Sequence, residues 1–519
     1  MRLVAPLLLA AALAFAPPAA DAKTLRYASQ IDPGTMDPHS MPSLYNARVL
    51  SQIYEHLVGR DPSWQPAPEL ALSWAPLDAG KGWRFVLRPG VKFHDGTPFT
   101  ADDVAFNVKR ALEPTSAYRT AMPNVTGARN VDSLTVDIFT SRPTPVLPLA
   151  LTNLRLMSKA WCEKHHVEKP QDFHGKEETY ATRNANGTGA YRLAKWETDV
   201  DTVLIANPNY WGKRGNVTEA HYLVVGSAAT RVAGLISGEI DIVIDPAVQD
   251  LERLRRQPGI TIEEATALGI NFLGFNHQSA DLGDGSKKNP FKDARVRQAV
   301  RAAIDVTALQ SKVLRNSATL SRAIYTSAVT GFDPRLKVPD PYDPERAKKL
   351  LKDAGYPNGF AVDLDGSSQA PTDALCQAIA GMLARVGIRV TYRPSPFNTL
   401  LPKLLAGDTS MYVIGFTAST ADPEGVLMPL VHTRTGKGGG DYNFGNYSNA
   451  AVDAAIDNGS VEFDPARRAT LFTEAMMAID ADAGFIPLVA RNITWAMRKN
   501  VKVAARPNDN MVLKLVNVE

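Results

Sequence analysis

Alternation of apolar and polar positions is the clearest local signal along the chain. Residues 83–88 read WRFVLR, in which apolar and polar side chains alternate as a half-buried β-strand requires. Thr100 is followed three residues later by Asp103, a spacing close to that of a capping box. We therefore expect a helix that begins there and ends near Leu112, before Pro114.

Later segments have equally clear helix signals. Asp343-Pro344 supplies an N-cap and a first-turn proline for a helix that Gly355 closes, and Asp464-Pro465 repeats this start for a longer helix. A helix over 373–386 leads into 388–392, a strand rich in β-branched residues. Strands that alternate with helices of this length predict α/β lobes containing parallel sheets.

The N-terminal segment 1–22 is typical of a cleaved secretory signal. Arg2 precedes the apolar run 3–15, and Ala20-Asp21-Ala22 places small residues just before Lys23. The apolar run is shorter than the roughly 20 residues that a membrane-spanning helix needs. We expect the mature chain to begin near Lys23, without a lipid anchor because no cysteine stands at the junction, and to be free in the periplasm.

Composition and charge narrow the functional classes. With 519 residues, the chain is long enough for several hydrophobic cores. Its 57 basic and 54 acidic residues give a net charge of +3, and we find no run of like charges that would indicate a nucleic-acid partner. Cys162 and Cys376 are its only two cysteines, and we expect both to be buried free thiols.

Motifs of enzymes and metal sites are missing. We find no His-Glu-x-x-His, no Gly-x-Ser-x-Gly and no phosphate-binding glycine loop followed by Lys. The densest set of metal-ligating residue types is Cys162, His165, His166, Asp172 and His174. Adjacent histidines diverge on a strand or a helix, so this set is expected to form a polar loop. The sequence predicts neither an enzyme nor a cofactor.

A more specific signal comes from segments spread over nearly the whole chain. In order they are residues 25–27 with 36–39, 53–57, 83–112, 187–191, 207–211, 237–241, 275–276, 289–305, 342–357 and 422–423. In this order and at these spacings they resemble the family 5 solute-binding proteins of ATP-binding-cassette importers. That family includes peptide-, nickel-, haem- and opine-binding members.

The resemblance implies a periplasmic-binding-protein-like α/β fold, with two lobes that close on a solute and an additional domain inserted in the first lobe. Carried over, lobe I combines 23–68, 184–268 and 487–519, the additional domain is 69–183, and lobe III is 269–486. The chain would then cross between the lobes twice. Hinge closure would couple solute binding to recognition by the membrane permease. We expect a monomer.

The resemblance also indicates where the solute binds. An apolar strand at 413–416 opens into a loop of small and hydroxyl residues. Peptide-binding members carry an aspartate at the position of Ser419, where it holds the α-ammonium of the peptide. Because a hydroxyl cannot supply the charge that a buried ammonium needs, we do not expect this protein to bind a free peptide N-terminus. The expected ligand-binding residues are Met36, Tyr45, Phe397, Gly415, Phe416, Thr417, Ala418, Ser419, Asp422, Tyr442 and Asn443.

The leading interpretation is an exported receptor for a peptide-like, opine-like or other small amphipathic solute. A nickel-chelate or haem carrier of the same fold is the first alternative, weakened because no histidine falls within 413–424, although His432 is near. A secreted hydrolase without a recognised motif is a further class. A receptor that signals through a membrane sensor would use the same fold.

Overall fold

In a computed structural model of the chain, the structure describes residues 23–519 except 42, 63, 78–79, 120–121, 123, 174, 176, 280–287, 370, 419 and 437. The predicted signal segment 1–22, His174 and Ser419 therefore lie outside the described residues. Among the helices that the structure describes, none is both long and apolar enough to cross a membrane.

The strands are β1 (Lys23–Ser29), β2 (Val58–Arg60), β3 (Pro66–Pro68), β4 (Ala71–Pro76), β5 (Gly82–Leu87), β6 (Val125–Asp132), β7 (Thr135–Thr140), β8 (Tyr191–Glu197), β9 (Asp201–Ala206), β10 (Val217–Val224), β11 (Ile242–Ile244), β12 (Ile260–Thr266), β13 (Gly269–Phe275), β14 (Ala318–Thr319), β15 (Phe360–Ser367), β16 (Ile388–Ser395), β17 (Met411–Thr417), β18 (Phe485–Arg498), β19 (Val501–Lys502) and β20 (Asn517–Val518).

The α-helices are α1 (Leu44–Ile53), α2 (Ala101–Ala111), α3 (Leu147–Ala150), α4 (Lys159–Lys164), α5 (Tyr180–Arg183), α6 (Ala228–Ser237), α7 (Leu251–Arg255), α8 (Ala294–Ala303), α9 (Val306–Ala308), α10 (Pro344–Asp353), α11 (Thr372–Ala384), α12 (Phe397–Leu405), α13 (Glu424–Leu430), α14 (Ala450–Val461) and α15 (Pro465–Asp482). Short 3-10 helices span Val248–Asp250, Pro290–Lys292, Pro334–Leu336 and Leu513–Leu515, and a π-helical turn spans Leu309–Val313.

The predicted helix starts are confirmed. At α2 the Asp103 carboxylate accepts from the backbone NH of Thr100 at 2.9 Å, as a capping box requires. Asp343 accepts from the backbone NH of Arg346 at 2.9 Å, and Asp464 accepts from that of Arg467 at 2.7 Å. Each carboxylate satisfies a backbone donor that has no partner within its own helix.

One large mixed sheet forms the centre of the molecule. Its 12 strands follow the order β16-β15-β17-β13-β18-β11-β1-β10-β9-β8, with β12 and β14 also paired to β18. The pairs β1–β10, β1–β11, β15–β16 and β15–β17 are parallel, and the other ladders of this sheet are antiparallel. The α/β prediction is confirmed, and the sheet has more antiparallel pairing than the sequence indicated.

Strand β18 joins the two halves of this sheet. Its first part pairs with β13 through Val489 and Asn271, and its last part pairs with β11 through Trp495 and Ile244. A second connection, between β12 and β13, runs directly alongside, because the backbone NH of Ala267 donates to the carbonyl oxygen of Arg491 at 3.1 Å. The two chain crossings are therefore neighbours.

Separate hydrophobic cores lie on the two sides of these crossings. One core includes Leu273 and Ile379, packed between β13, β15 and α11, and another includes Tyr27 and Ile242 around β1 and β11. The four-stranded sheet β4-β5-β7-β6 has a core of its own around Phe85. Both cysteines are buried and unpaired, as predicted. The molecule thus has two lobes and an additional unit built on the four-stranded sheet.

Candidate functional site

A cleft of about 900 Å³ opens where the two halves of the sheet meet. Its walls come from the ends of β13 and β17, the middle of β18, the residues after β11, the starts of α1, α11 and α12, and segment 507–509. Pockets for small molecules in proteins have about this size, roughly 300–1,000 Å³. The cleft can therefore hold a small solute.

Six of the predicted ligand-binding residues lie on the cleft wall: Tyr45, Phe397, Gly415, Phe416, Thr417 and Ala418. Phe397 begins α12 and is 47% exposed, so its ring is available to a solute in the cleft. Tyr45 accepts a hydrogen bond from Gln30 Nε2 at 2.6 Å, and both residues line the cleft. Aromatic surface is thus available on both sides of the opening.

The structure places other predicted residues away from this wall. Met36 is fully buried in the core beneath β1, and Asp422 accepts from Arg468 Nη2 at 2.8 Å inside the protein. Asn443 is fully buried, and its amide donates to the carbonyl oxygen of Tyr447 at 2.8 Å, which organises a loop. Met36 therefore belongs to the hydrophobic core, and Asp422 and Asn443 stabilise the protein's own structure.

Tyr442 is in an intermediate position. Its ring centroid lies 5.8 Å from that of Phe416, which is on the wall, but Tyr442 does not itself line the cleft. Ser419, on which the expectation about ammonium binding depends, lies outside the described residues. His432 is buried and is not among the residues that line the cleft.

The floor of the cleft depends on two glycines in the β13–β17 ladder. Gly269 pairs with Thr417, and a Cβ atom at position 269 would lie 2.4 Å from the Thr417 hydroxyl oxygen. Gly415 pairs with Asn271, and a Cβ atom at position 415 would lie 3.0 Å from the amide oxygen of Asn271. Because the glycines have no side chains, the Thr417 hydroxyl can lie over Gly269 and the Asn271 amide can lie over Gly415.

Sequence reasoning missed an acidic pair on the cleft wall. Asp245 and Asp509 both line the cleft, and Arg48 donates to them at 3.0 Å and 2.5 Å. Burial raises the pKa of Asp509 to about 6, against the opposing charge of Arg48 and with the nearby Asp245 adding to the rise. Asp245 has a left-handed φ of 61°, a backbone strain that is common at binding sites.

A signal for part of this pair was present in the sequence. Asp245 follows the buried strand β11, and ligand-binding groups often lie at the carboxyl ends of strands. Asp509 and Arg48 come from opposite ends of the chain, so no local pattern connects them. The third charged residue on the wall, Arg491, lies on β18 and also had no local signal.

The described residues of the set considered as a metal site do not share one polar loop as expected, because Cys162 is part of α4. Cys162 is buried, and burial raises its pKa to about 12, whereas the His165 ring stacks on Tyr180 at 4.0 Å. Within the part of the chain that the structure describes, no three His, Cys, Asp or Glu residues are grouped closely enough to hold a metal ion.

Two lobes joined by neighbouring crossings, with an open cleft between them, define a two-lobed binding protein. A model of the bacterial extracellular solute-binding proteins, family 5 Middle, matches residues 65–438, and the chain belongs to this family. The predicted fold class and family resemblance are thereby confirmed.

Individual relatives extend over most of the chain. Heme-binding protein A of Haemophilus influenzae is 27% identical over 482 residues, which cover 87% of this chain and 84% of that protein. The dipeptide-binding protein of Escherichia coli is 25% identical over 515 residues, 93% and 92% of the two chains. The structure of HbpA2 from Haemophilus parasuis has a TM-score of 0.84 at 22% identity, with 96% and 100% covered. The protein is the solute-binding component of an ATP-binding-cassette importer.

Proposed function

We propose that this protein captures a small amphipathic solute, peptide-like or opine-like in its chemistry, in the cleft between its lobes. The observation that carries this proposal is the composition of the cleft wall. Phe397 and Phe416 offer apolar surface, and the Thr417 hydroxyl and Asn271 amide offer hydrogen bonds close by. A few polar groups within a largely apolar wall are typical of sites that bind small organic molecules.

Closure of the lobes on the solute would make the complex recognisable to the membrane permease. We place lobe I at 23–68, 184–268 and 487–519, the additional domain at 69–183 and lobe III at 269–486. The neighbouring crossings near Ala267 and Arg491 support a hinge there, because few residues would need to change conformation when the cleft closes. The protein would act as a monomer in the periplasm, after cleavage near Ala22, without a cofactor or nucleic-acid partner.

The identity of Ser419 restricts the solute further. Among the described residues that line the cleft, the acids are Asp245 and Asp509, and both belong to segments other than the loop after β17. A buried ammonium that faces only a hydroxyl loses several kcal/mol relative to one that faces a carboxylate. Unmodified dipeptides are therefore expected to bind weakly, and Ser419→Asp is expected to weaken binding of the natural solute.

Binding and compaction together test this function. The mature protein is titrated with an unmodified dipeptide, the N-acetylated form of the same dipeptide and haemin, by calorimetry and by thermal unfolding. A solute at 100 times its dissociation constant should stabilise the protein by about 2.7 kcal/mol. It should also reduce the radius measured by small-angle scattering. Sub-micromolar binding of the unmodified dipeptide would contradict the expectation drawn from Ser419.

A further inference from the structure

Arg491 is a cation on the wall of the cleft. It lies on the exposed part of β18 at the crossing between the lobes and lines the cleft wall. Its side chain makes no hydrogen bond or ion pair with any residue that the structure describes. A guanidinium group presents several donors in a planar fork that matches a carboxylate.

The other charges on the wall are balanced within the protein. Asp245 and Asp509 share the buried guanidinium of Arg48. A second buried arginine, Arg231, donates to the backbone carbonyl oxygen of Asp245 at 3.1 Å and also interacts with the Asp245 charge, so two cations accompany the two carboxylates. Among the described residues that line the cleft, Arg491 therefore carries the charge that a solute would neutralise.

Two neutral polar groups lie on the same face of the sheet. Paired residues of an antiparallel ladder point to one face, so Thr417 opposite Gly269 shares a face with Asn271 opposite Val489. Arg491 is two residues after Val489 and points to that face as well. Neither the Asn271 amide nor the Thr417 hydroxyl is hydrogen bonded to another described residue. The three groups span β17, β13 and β18, or roughly 10 Å at a strand spacing of about 4.8 Å.

The start of α11 adds a further favourable feature. Pro371 and Thr372 lie on the cleft wall, and no side chain that the structure describes caps this end of the helix. The partial positive charge of a helix N-terminus favours an anion.

We propose that the solute is an amphipathic carboxylic acid whose carboxylate binds Arg491, with Asn271 and Thr417 as hydrogen-bonding groups along its polar edge. This inference rests on the solute-binding function proposed above and adds the class of solute. When the lobes close on a neutral solute, Arg491 would be removed from water without a counter-charge, which is costly. The carboxylate of an acid supplies the counter-charge, so closure of the lobes favours an acid over a neutral solute.

A matched pair of probes tests the carboxylate directly. N-acetyl-Phe-Leu has a free carboxylate and no ammonium, and in its C-terminal amide a neutral NH2 group replaces one carboxylate oxygen. We expect the acid to bind the wild type about 10- to 100-fold more tightly than the amide, the range of a charge-assisted hydrogen bond. Calorimetry on both compounds measures this ratio.

Substitutions at position 491 test whether Arg491 causes the preference for the acid over the amide. Arg491→Gln should reduce binding of the acid to the level of the amide, and Arg491→Lys should retain part of the preference because the charge remains. Arg498→Gln is the matched control, since Arg498 lies on the same strand but does not line the cleft. It should leave the ratio unchanged. Urea unfolding of each variant shows that the fold is intact.

The outcomes separate this inference from the function on which it rests. Equal binding of acid and amide to the wild type, or undiminished binding of the acid to Arg491→Gln, would overturn the role of Arg491. If neither probe binds but a neutral or cationic solute stabilises and compacts the protein, the acid class is wrong and the solute-binding function stands. If none of the solutes tested, including a metabolite extract, compacts the protein, both are contradicted.

Discussion

Arg48 in α1 donates from Nη2 to Oδ2 of Asp509 at 2.5 Å, across a sequence separation of 461 residues. The Arg48 side chain is fully buried, and its Nη1 also reaches Asp245 at 3.0 Å. Trp495 Nε1 donates to the other oxygen of Asp509 at 2.8 Å. The wall of the cleft on this side is therefore held by one buried arginine that joins the first helix to the last segment of the chain.

Removal of the Arg48 charge should destabilise the protein strongly. Arg48→Met leaves the buried carboxylate of Asp509 and the partly exposed carboxylate of Asp245 without their shared cation. Loss of one partner of a buried ion pair costs about 3–5 kcal/mol. Urea unfolding measures the change. Arg256→Met is a suitable control, because the Arg256–Glu252 pair is exposed and such pairs contribute about 0–1 kcal/mol. If the two variants lost similar free energies of unfolding, the buried ion pairs of Arg48 would contribute no more than an exposed pair.

The pH dependence of stability should report Asp509. Because its pKa is raised from 3.8 to about 6 in the folded protein, the folded state binds this proton more tightly than the unfolded state. Its contribution to stability is therefore fully present below pH 3.8 and is lost as the pH rises through about 6. Asp509→Asn should flatten this part of the profile, although the lost ion pair lowers its stability overall. Urea unfolding between pH 4 and pH 7 compares the slopes, and parallel profiles would contradict the assignment.

His277 should act in the opposite direction. Burial, with a smaller effect of Arg297, lowers its pKa from 6.5 to about 3, and Nε2 lies 3.1 Å from the carbonyl oxygen of Gly484. Its contribution is present above pH 6.5 and is lost as the pH falls towards 3, by up to about 1.4 kcal/mol per pH unit. His277→Gln retains a donor but does not titrate. The wild type should lose more stability than the variant between pH 6.5 and pH 4.5, and an equal loss would show that His277 is not the group responsible.

Local chemistry explains which parts of the structure could be predicted. The caps at Asp103, Asp343 and Asp464 act within three residues, so the sequence alone reveals them. The wall residues Phe416 and Thr417 were found because their strand and loop resemble a known family. Asp509 and Arg491 were missed because their neighbours come from distant segments, and only the fold brings these segments together.

The limits of local sequence patterns also explain why some predicted site residues do not line the cleft. Asn443 and Asp422 are polar residues in or near loops, a pattern that ligand-binding and loop-organising residues share. Asn443 satisfies backbone groups around Tyr447, and Asp422 pairs with Arg468. Whether a polar loop residue binds a ligand or organises its loop depends on where its side chain points. The sequence alone does not predict that orientation.

The close approach of Gly269 to Thr417 predicts a steric test of the cleft floor. In Gly269→Ala the new methyl group would lie 2.4 Å from the Thr417 hydroxyl oxygen, so this hydroxyl must move and the floor must change shape. Binding of N-acetyl-Phe-Leu, measured by calorimetry, should weaken by about tenfold, the usual value of one lost hydrogen bond.

A second substitution distinguishes a clash from a general loss of structure. Thr417→Ala removes the hydroxyl. The nearest remaining atoms to the added methyl group are then the carbonyl oxygen of Phe416 at 3.1 Å and Cβ of residue 417 at 3.4 Å, so a shift of a few tenths of an ångström accommodates it. The double variant should therefore bind no more weakly than Thr417→Ala alone, because the hydroxyl that Gly269→Ala displaces is already absent. Gly381→Ala, at a helical position with nothing within 4 Å of the added atom, controls for the extra methyl group. If Gly269→Ala weakens binding equally with and without Thr417, the contact between these two residues does not shape the site, since coupled neighbours are expected to be non-additive.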